Sequence, residues 1–418
     1  MVEPREDEAQ PSPGPQRAER PPGPSRRAFV AGLLTSGAAG TAVGAGVVVA
    51  GSDRGTDPAT APSGGTGGTS SGTSPYGVHQ AGVAVPDPTQ RSAETLVLDL
   101  PDDVALHPDP LAELLAGLGE TIAALAAGDH AGLAGLDPAG LTVTVGLGPR
   151  VVVATLGTGP GADELPAFTS DDLTERRTGG DLLLLVRSDE DAVVALAGQV
   201  LAAEVARASG PADERAHVRW SAPGFRGPLA GPGNRNLTGF RDGLSVPRGD
   251  EELEAAVWWD DAVRPGMEGA TVAVVRVMPF DVNAFTALPV AAQEEAVGRR
   301  RAGGEPLSGG TALDDPDLRA KDDTGRYAIG VDAHVRRAHP LPAGLDTLML
   351  RRSYSFTGAE TGLVFVAFHR ELDTFVRTQQ RLDEGDALTA LARTTASGTF
   401  LVLPGYDAER PLGAALRG

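Results

Sequence analysis

One order of hydrophobic periodicities occurs twice along this chain, and the repeat restricts the fold more than any other feature. A period of two residues predicts a strand, and a period near 3.6 predicts an amphipathic helix. The first copy reads as strand, helix, strand, strand, helix and strand, at Glu94–Leu100, Leu111–Leu125, Leu141–Val145, Leu182–Val186, Glu190–Arg207 and His217–Ser221.

The second copy repeats this order after residue 270. Its six elements are Thr271–Met278, Val282–Arg299, Leu348–Ser355, Leu363–Phe368, Thr374–Leu382 and Gly398–Leu403. A β-α-β-β-α-β order is the ferredoxin-like pattern, and two copies predict two similar domains. We therefore predict an α+β fold in which two ferredoxin-like domains pack sheet to sheet. A long insertion, residues 300–344, separates the helix from the second strand of the second copy, and such insertions are often functional.

The N-terminal quarter of the chain lacks these periods. Ser25–Val30 contains a twin-arginine pair before the apolar run Ala31–Ala50, which predicts a twin-arginine signal region at residues 1–50. The alternative is a membrane anchor, since the run approaches the length of a span. Residues 51–74 are predicted to be a flexible Gly/Ser/Thr linker. We expect export by the twin-arginine translocase to the cell envelope or exterior, and domains at residues 75–235 and 236–418.

Composition excludes several functional classes. The formal net charge of −20 argues against nucleic acid as a partner, because a phosphate-binding surface requires clustered Lys and Arg. The chain has no cysteine, which excludes disulfides, thiolate ligation of haem, iron–sulfur clusters and cysteine-based zinc sites. Seven histidines remain as candidate metal ligands. The sequence is compatible with a homo-oligomer.

Three motifs in the second half carry chemically active side chains. They are Gly239-Phe240-Arg241-Asp242-Gly243, Ala333-His334-Val335-Arg336-Arg337 and Leu350-Arg351-Arg352-Ser353-Tyr354-Ser355-Phe356. An acid, a histidine and an arginine in this order resemble the haem-binding set of the dye-decolorising (DyP-type) peroxidases. Within that family, the chain is similar to the twin-arginine-exported deferrochelatase/peroxidase-like subgroup.

The resemblance extends from about His79 to Gly405. His79–Gly82 is similar to the opening signature of the family, and Thr178–Leu182 is similar to its Ser-Gly-Gly-Asp-Leu. Two further segments also match, Gln293-Glu294 with Gly298-Arg299 and the closing Phe400–Gly405. One departure is Leu244, which stands where the family often has Thr after the Asp-Gly turn.

The resemblance implies haem b (iron protoporphyrin IX), with His334 as the proximal iron ligand. Neutral imidazole is a good ligand for haem iron, and His339 is the nearest rival. A carboxylate usually holds the other nitrogen of such a histidine. Asp386 fits the position from which the family supplies this acid, with Asp383 and Glu384 as alternatives.

On the other side of the haem, the resemblance implies that Asp242 is the acid/base and that Arg351 stabilises developing charge. Adjacent residues of a strand point to opposite faces, so only one of Arg351 and Arg352 can line the pocket. Matching the motif favours Arg351. Ser353 would share its face and bind water or peroxide.

The remaining candidates would contact the cofactor. The catalytic turn supplies Gly239, Phe240, Arg241 and Gly243. Arg336, or Arg235 with Asn236, would bind the haem propionates.

The implied function is reduction of hydrogen peroxide through a ferryl intermediate, with oxidation of aromatic donors such as dyes and phenols. The alternative is deferrochelatase-type release of iron from haem, for which iron-uptake proteins would be partners.

Overall fold

The structure is a computed structural model that describes residues 72–211, 214–227, 231, 233–340 and 348–417. The predicted signal region at residues 1–50, and the predicted linker up to residue 71, lie outside the described residues. Residues 228–230 and 341–347 are likewise not described.

The first half contains the predicted β-α-β-β-α-β order. Its strands are β1 (Ser92–Asp99), β2 (Thr142–Leu147), β3 (Leu182–Ser188) and β4 (His217–Phe225). Its two main helices are α2 (Pro108–Ala127) and α4 (Asp191–Ala208), and the shorter helices are α1 (Asp102–Ala105) and α3 (Pro149–Leu156). The apolar face of α2 is buried against the sheet, as the spacing of its leucines predicts. Among the described residues, α2 alone is long and apolar enough for a membrane span, but its leucines belong to the protein core.

The second half repeats the order with more interruptions. It begins with the hairpin β5 (Asn234–Arg235) and β6 (Arg241–Asp242) and helix α5 (Gly249–Ala256). The repeat itself consists of β7 (Thr271–Pro279), α6 (Val282–Thr286), α7 (Val290–Val297), α8 (His334–Ala338), β8 (Leu350–Arg351), β9 (Tyr354–Phe356), β10 (Gly362–His369), α9 (Leu372–Asp383) and β11 (Ala396–Val402).

The two halves share one antiparallel sheet. Its strand order is β7-β11-β2-β3-β1-β4-β9-β10, and β10 also pairs with β7, so the described strands close into a barrel. At one junction β11 pairs with β2, and at the other β4 pairs with β9 through Phe225 and Ser355. The second strand of each half therefore joins the fourth strand of the other half. Closure leaves no exposed sheet edge at these junctions, and it is the barrel form of the predicted two-domain α+β fold. The domain bounds at residues 75–235 and 236–418 stay a prediction.

Two predicted elements are interrupted in the structure. The helix predicted at Val282–Arg299 is divided into α6 and α7, because Pro289 lacks an N–H and disfavours helical backbone before it. Gln293 Nε2 donates to the carbonyls of Thr286 (3.3 Å) and Leu288 (2.8 Å), which compensates for the break. The strand predicted at Leu348–Ser355 is divided into β8 and β9.

The outer faces of the two halves are covered differently. In the first half, α2 and α4 cover the sheet with a continuous hydrophobic core. In the second half, Val277, Val364 and Val366 face the barrel interior, whereas Met278, Leu363 and Phe365 line a cavity on the outer face. The cavity is present because the short helices α6 and α7 and the insertion do not fill this part of the outer face. The fold thus places a cavity on one half where the other half has packed helices.

Candidate active site

Asp242 ends the β5–β6 hairpin. Asn234 pairs with Asp242 and Arg235 pairs with Arg241 across the two strands. The intervening turn is closed by Asn236, whose side-chain oxygen accepts from the backbone N–H of Thr238 at 3.0 Å. Gly243, immediately after the acid, has a φ of +77°, which side-chain-bearing residues rarely adopt. Its N–H donates to Asp242 Oδ1 at 2.7 Å, which helps to orient the carboxylate.

Arg351 lies beside this carboxylate. Its Nη2 is 3.4 Å from Asp242 Oδ1, and its Nη1 donates to the carbonyl of Ser245 at 3.1 Å. Burial works to raise the pKa of Asp242, but the charges of Arg351 and Arg226 and the Gly243 hydrogen bond together lower it below its ordinary value. The acid is therefore held in its ionised form.

Arg351 lines the larger of two cavities at this site and Arg352 does not, whereas both line the second one. Arg352 Nε donates to the carbonyl of Val83 at 3.0 Å, and its Nη1 forms an ion pair of 2.9 Å with Asp87. Ser353 does not line the larger cavity either, but it lines the second cavity together with Asp242 and Arg351. Its hydroxyl accepts from the N–H of Val366 at 3.3 Å, because β8 and β9 are interrupted here and the hydroxyl replaces a backbone partner.

His334 begins helix α8 and faces the cavity, where 41% of its side-chain surface is accessible. Its Nδ1 lies 3.2 Å from Asp386 Oδ1, and the Asp386 carboxyl group is buried. Burial lowers the pKa of the imidazole, but the charge and hydrogen bond of Asp386 outweigh this effect and raise the pKa above its usual value. With Nδ1 bound to the carboxylate, Nε2 is the nitrogen left to bind a metal.

The two alternative acids have other partners. Asp383 accepts from the N–H of Thr169 at 2.8 Å and from Gln379 Nε2 at 2.9 Å. Glu384 forms an ion pair of 3.2 Å with Arg337. Asp386 is therefore the acid of the three that contacts His334.

His334, Asp386, Asp242 and Arg351 line one cavity of about 320 Å³. This is within the range of ligand-binding pockets, and most of the wall is apolar. The apolar residues include Met278, Phe280, Val297, Leu363, Phe365, Phe375, Leu382 and Leu388. An apolar wall with one carboxylate-bound imidazole suits a flat, hydrophobic, iron-containing group, so the residues present fit haem.

A second, more polar cavity of about 300 Å³ adjoins the first. Six residues line both cavities, namely Asn236, Asp242, Gly243, Arg351, Ser355 and Leu363. Four further arginines line the second cavity, namely Arg226, Arg235, Arg248 and Arg352. Asp242 and Arg351 are therefore accessible from two cavities, one mostly apolar and one lined by several arginines.

The predicted cofactor contacts divide into two groups. Phe240, Arg241 and Gly243 line the larger cavity, whereas Gly239 does not. Gly239 has a φ of +83°, and an added Cβ would lie 2.7 Å from Arg301 Nε.

Both arginines predicted to bind propionates donate to backbone carbonyls in the structure. Arg336 does not line either cavity described above. Its Nη2 donates to the carbonyls of Leu318 (2.6 Å) and Ile329 (2.7 Å), and these hydrogen bonds connect the insertion to α8. Arg235 donates to the carbonyls of Gly239 (2.7 Å) and Ala302 (2.5 Å). Asn236 and Arg241 do line the larger cavity.

Three further residues at the site were not predicted from the sequence. Arg226, at the end of the first half, lies over the Tyr354 ring at 4.7 Å and donates to the carbonyl of Ser353 at 2.7 Å. Ser245 and Arg299 line the larger cavity and are bonded to each other at 3.0 Å. Of these three residues, only Arg299 lies in a segment noted in the sequence, the Gly298-Arg299 motif. Gly298 has a φ of +88° and allows α7 to approach Val335 closely.

Both halves of the chain are similar to known proteins. Residues 80–226 match the family model "Dyp-type peroxidase, N-terminal", and residues 233–407 match "Dyp-type peroxidase, C-terminal". A dye-decolorizing peroxidase of Thermobifida fusca is 32% identical over 429 residues, which cover 94% of this chain and 97% of that protein. A deferrochelatase of Escherichia coli K12 is 34% identical over 218 residues, or 48% of this chain and 51% of that protein.

The solved structure of ferric DtpA from Streptomyces lividans has the same fold. It superposes with a TM-score of 0.74 at 30% identity, covering 82% of this chain and 96% of that one. Both family models and a relative matched over nearly the full length lead to one conclusion: this chain belongs to the Dyp-type peroxidase family and is a haem-dependent peroxidase.

Proposed function

We propose that this protein reduces hydrogen peroxide and oxidises aromatic donors such as phenols and dyes, using His334 as iron ligand and Asp242 with Arg351 as the peroxide-activating pair. The observation that carries the proposal is that both pairs, His334–Asp386 and Asp242–Arg351, line one apolar cavity.

His334 would hold the haem through Nε2. Asp386 accepts from Nδ1, which fixes the orientation of the ring and makes the ligand more basic. Thr389 donates its hydroxyl to Asp386 Oδ2 at 3.2 Å, so the carboxylate is itself fixed. Asn236, Thr238 and Arg241 are polar groups of the same cavity wall, and they would hold the propionates. Haem, when bound, supplies the iron chemistry of peroxide reduction.

Asp242 would move the proton. Its lowered pKa keeps the carboxylate ionised, so an oxygen of the side chain accepts a proton from one oxygen of hydrogen peroxide and returns it to the other. The guanidinium of Arg351 favours the anionic form of the peroxide and stabilises negative charge on the leaving oxygen. Most of the cavity wall is apolar, and a less polar environment strengthens both interactions.

An absorbance spectrum of the purified protein tests the proposal. A Soret band is expected in the isolated protein, and one equivalent of hydrogen peroxide should shift this band. Adding a phenol should then restore the first spectrum. A haem-loaded protein whose spectrum does not respond to peroxide would contradict the proposed activity.

Release of iron from haem is the second candidate function. It is favoured by the similarity to the E. coli deferrochelatase, although the alignment spans only about half of each chain. Incubation with haem and a ferrous-iron chelator distinguishes the two functions. Recovery of intact porphyrin together with chelated iron would support iron release, and a stable haem complex would support the peroxidase.

We also propose that the protein is exported. The twin-arginine pair at Arg26-Arg27 and the apolar run after it support this proposal. Fractionation of cells that express the wild-type chain or a variant with Lys at both positions tests it. The wild type should be found outside the cytoplasm and the variant inside.

A further inference from the structure

Ser245 contacts two arginines at the active site, one with each of its oxygen atoms. Its carbonyl oxygen accepts from Arg351 Nη1 at 3.1 Å, and its hydroxyl accepts from Arg299 Nη2 at 3.0 Å. Arg351 also lies beside Asp242. The turn that presents the acid is therefore also the turn that holds the neighbouring cation.

Arg299 is fixed independently of Ser245. It is 5% exposed, and its Nη1 donates to the carbonyls of Gly304 (2.8 Å) and Ala312 (3.0 Å). These acceptors belong to the insertion, so Arg299 ties the catalytic turn to that segment through Ser245.

The two arginines that meet at Ser245 repel each other. Burial lowers the pKa of Arg299, and the positive charge of Arg351 lowers it further. Each of them donates to a different oxygen of Ser245, which offsets part of this repulsion. The remaining carbonyls of the turn are also held, since Arg248 donates to Gly243 (2.8 Å) and Leu244 (2.8 Å).

We propose that Ser245 is a positioning residue, whose hydroxyl is anchored by Arg299 so that its carbonyl holds Arg351 against Asp242. This rests on the proposed function of the Asp242–Arg351 pair. Without the hydroxyl, the turn loses its attachment to Arg299, and Arg351 moves away from the acid.

The charged groups that face Asp242 determine what the loss of the hydroxyl changes. Arg351 on β8, Arg226 after β4 and His334 on α8 interact electrostatically with Asp242. The cavities that Asp242 lines are also lined by Arg235, Arg241, Arg248, Arg299 and Arg352. In the described residues Ser245 is hydrogen-bonded to Arg351 and not to Arg226 or His334, so we expect Ser245→Ala to act on Asp242 chiefly through Arg351. Because Arg351 favours the ionised carboxylate, its displacement raises the pKa of Asp242.

The test compares Ser245→Ala with Ser308→Ala, a control in which a hydroxyl that accepts from the Asp317 N–H of the insertion is removed. The haem content of Ser245→Ala should equal that of the wild type. The rate of reaction with peroxide falls as the pH is lowered, and this acid limb of the pH–rate profile should move to higher pH in the variant. At a pH on the acid limb of the wild type, the rate of the variant should be roughly 3- to 10-fold lower, as expected for one lost hydrogen bond. Ser308→Ala should match the wild type.

Two further measurements separate positioning from a general structural role. A crystal structure of haem-free Ser245→Ala should show Arg351 Nη2 farther from Asp242 Oδ1 than hydrogen-bonding distance. Ser245→Thr, which keeps the hydroxyl, should restore the wild-type pH profile. An unchanged acid limb and an unmoved Arg351, or a Thr variant as impaired as the Ala variant, would overturn the proposal. A wild type that does not react with peroxide would instead refute the proposed function.

Discussion

Arg351 Nη2 lies 3.4 Å from Asp242 Oδ1, and neither side chain is fully enclosed: 25% of the arginine and 29% of the aspartate side chain remain accessible. The contact is at the long end of the hydrogen-bond range. Catalytic hydrogen bonds are often long before substrate is bound and shorten in the complex. Because part of each side chain remains accessible, both groups are able to contact one small molecule that enters the cavity.

Asp242→Asn tests proton transfer at this pair. The amide is similar in size to the carboxylate but does not accept the proton of hydrogen peroxide. We expect normal haem content and a rate of reaction with peroxide lower by ~10²–10⁴-fold, as is typical when a general acid–base group is removed. Stopped-flow absorbance with peroxide measures this rate. A rate within a few-fold of the wild type would make Asp242 a turn residue only.

Arg351→Leu tests the electrostatic part of the mechanism through pH. In the folded protein the pKa of Asp242 is below its ordinary value, so the ionised form persists as the pH falls. Without Arg351, burial remains as the largest influence and favours the protonated acid, which raises the pKa. The acid limb of the peroxide reaction should therefore move to higher pH, in addition to a lower maximal rate.

Arg352→Leu is the matched control for that measurement. Arg352 is bonded to Asp87 and to the carbonyl of Val83, so its loss should reduce stability but leave the acid limb in place. Equal shifts of the limb in both variants would mean that the two arginines act on Asp242 alike.

His334→Ala tests the iron ligand. The variant should be soluble with little haem, because the bond from Nε2 to iron is lost. His339 also lines the cavity, and its Nδ1 is 2.8 Å from the carbonyl of Pro340. His339→Ala should therefore keep its Soret band, and retention of haem by His334→Ala would transfer the ligand role to His339.

The element order could be predicted from the sequence because hydrophobic periodicity reports which face of each element is buried. It does not report how two halves join, and the pairing of β4 with β9 through Phe225 and Ser355 follows from no local pattern. The break at Pro289 was readable from the sequence. Its compensation by the side chain of Gln293 was not, because that depends on the path of the chain after the break.

The predicted roles of the site residues stay predictions, but their placement follows the motifs in part. The Gly-rich turn brings Asp242 to the larger cavity, which Arg351 lines and Arg352 does not. Arg336, predicted to bind a propionate, donates to carbonyls of the insertion, a segment without periodicity. Arg226 was missed because its proximity to Asp242 arises from the junction between the two halves.

Asp386→Asn tests the carboxylate behind the iron ligand. A neutral amide accepts the Nδ1 hydrogen bond less strongly, so His334 becomes a less basic ligand and stabilises oxidised iron less. The reduction potential of the bound iron should rise by on the order of tens of millivolts, where 59 mV is a tenfold change in a one-electron equilibrium constant. Spectroelectrochemistry measures the potential. Asp383→Asn is the control and should leave it unchanged, since Asp383 bonds Thr169 and Gln379.

Gln80→Ala tests the junction between the two halves. The paired part of β2 and β11 is short. Beyond it, Gln80 Nε2 donates to the carbonyls of Val145 (2.9 Å) and Leu403 (3.0 Å). Gln80 Oε1 accepts from the Val145 N–H at 2.8 Å. The side chain is buried, so its loss leaves three backbone groups without these partners.

We expect the free energy of unfolding to fall by about 2–4 kcal/mol, because each unsatisfied buried group costs ~1–3 kcal/mol and water relieves part of the loss. Urea unfolding of the haem-free protein measures the difference. Gln199→Ala, an exposed change on α4, should have almost no effect. If both variants unfold at the same urea concentration, the Gln80 side chain does not hold the halves together, and the ladder between β2 and β11 suffices to close the barrel.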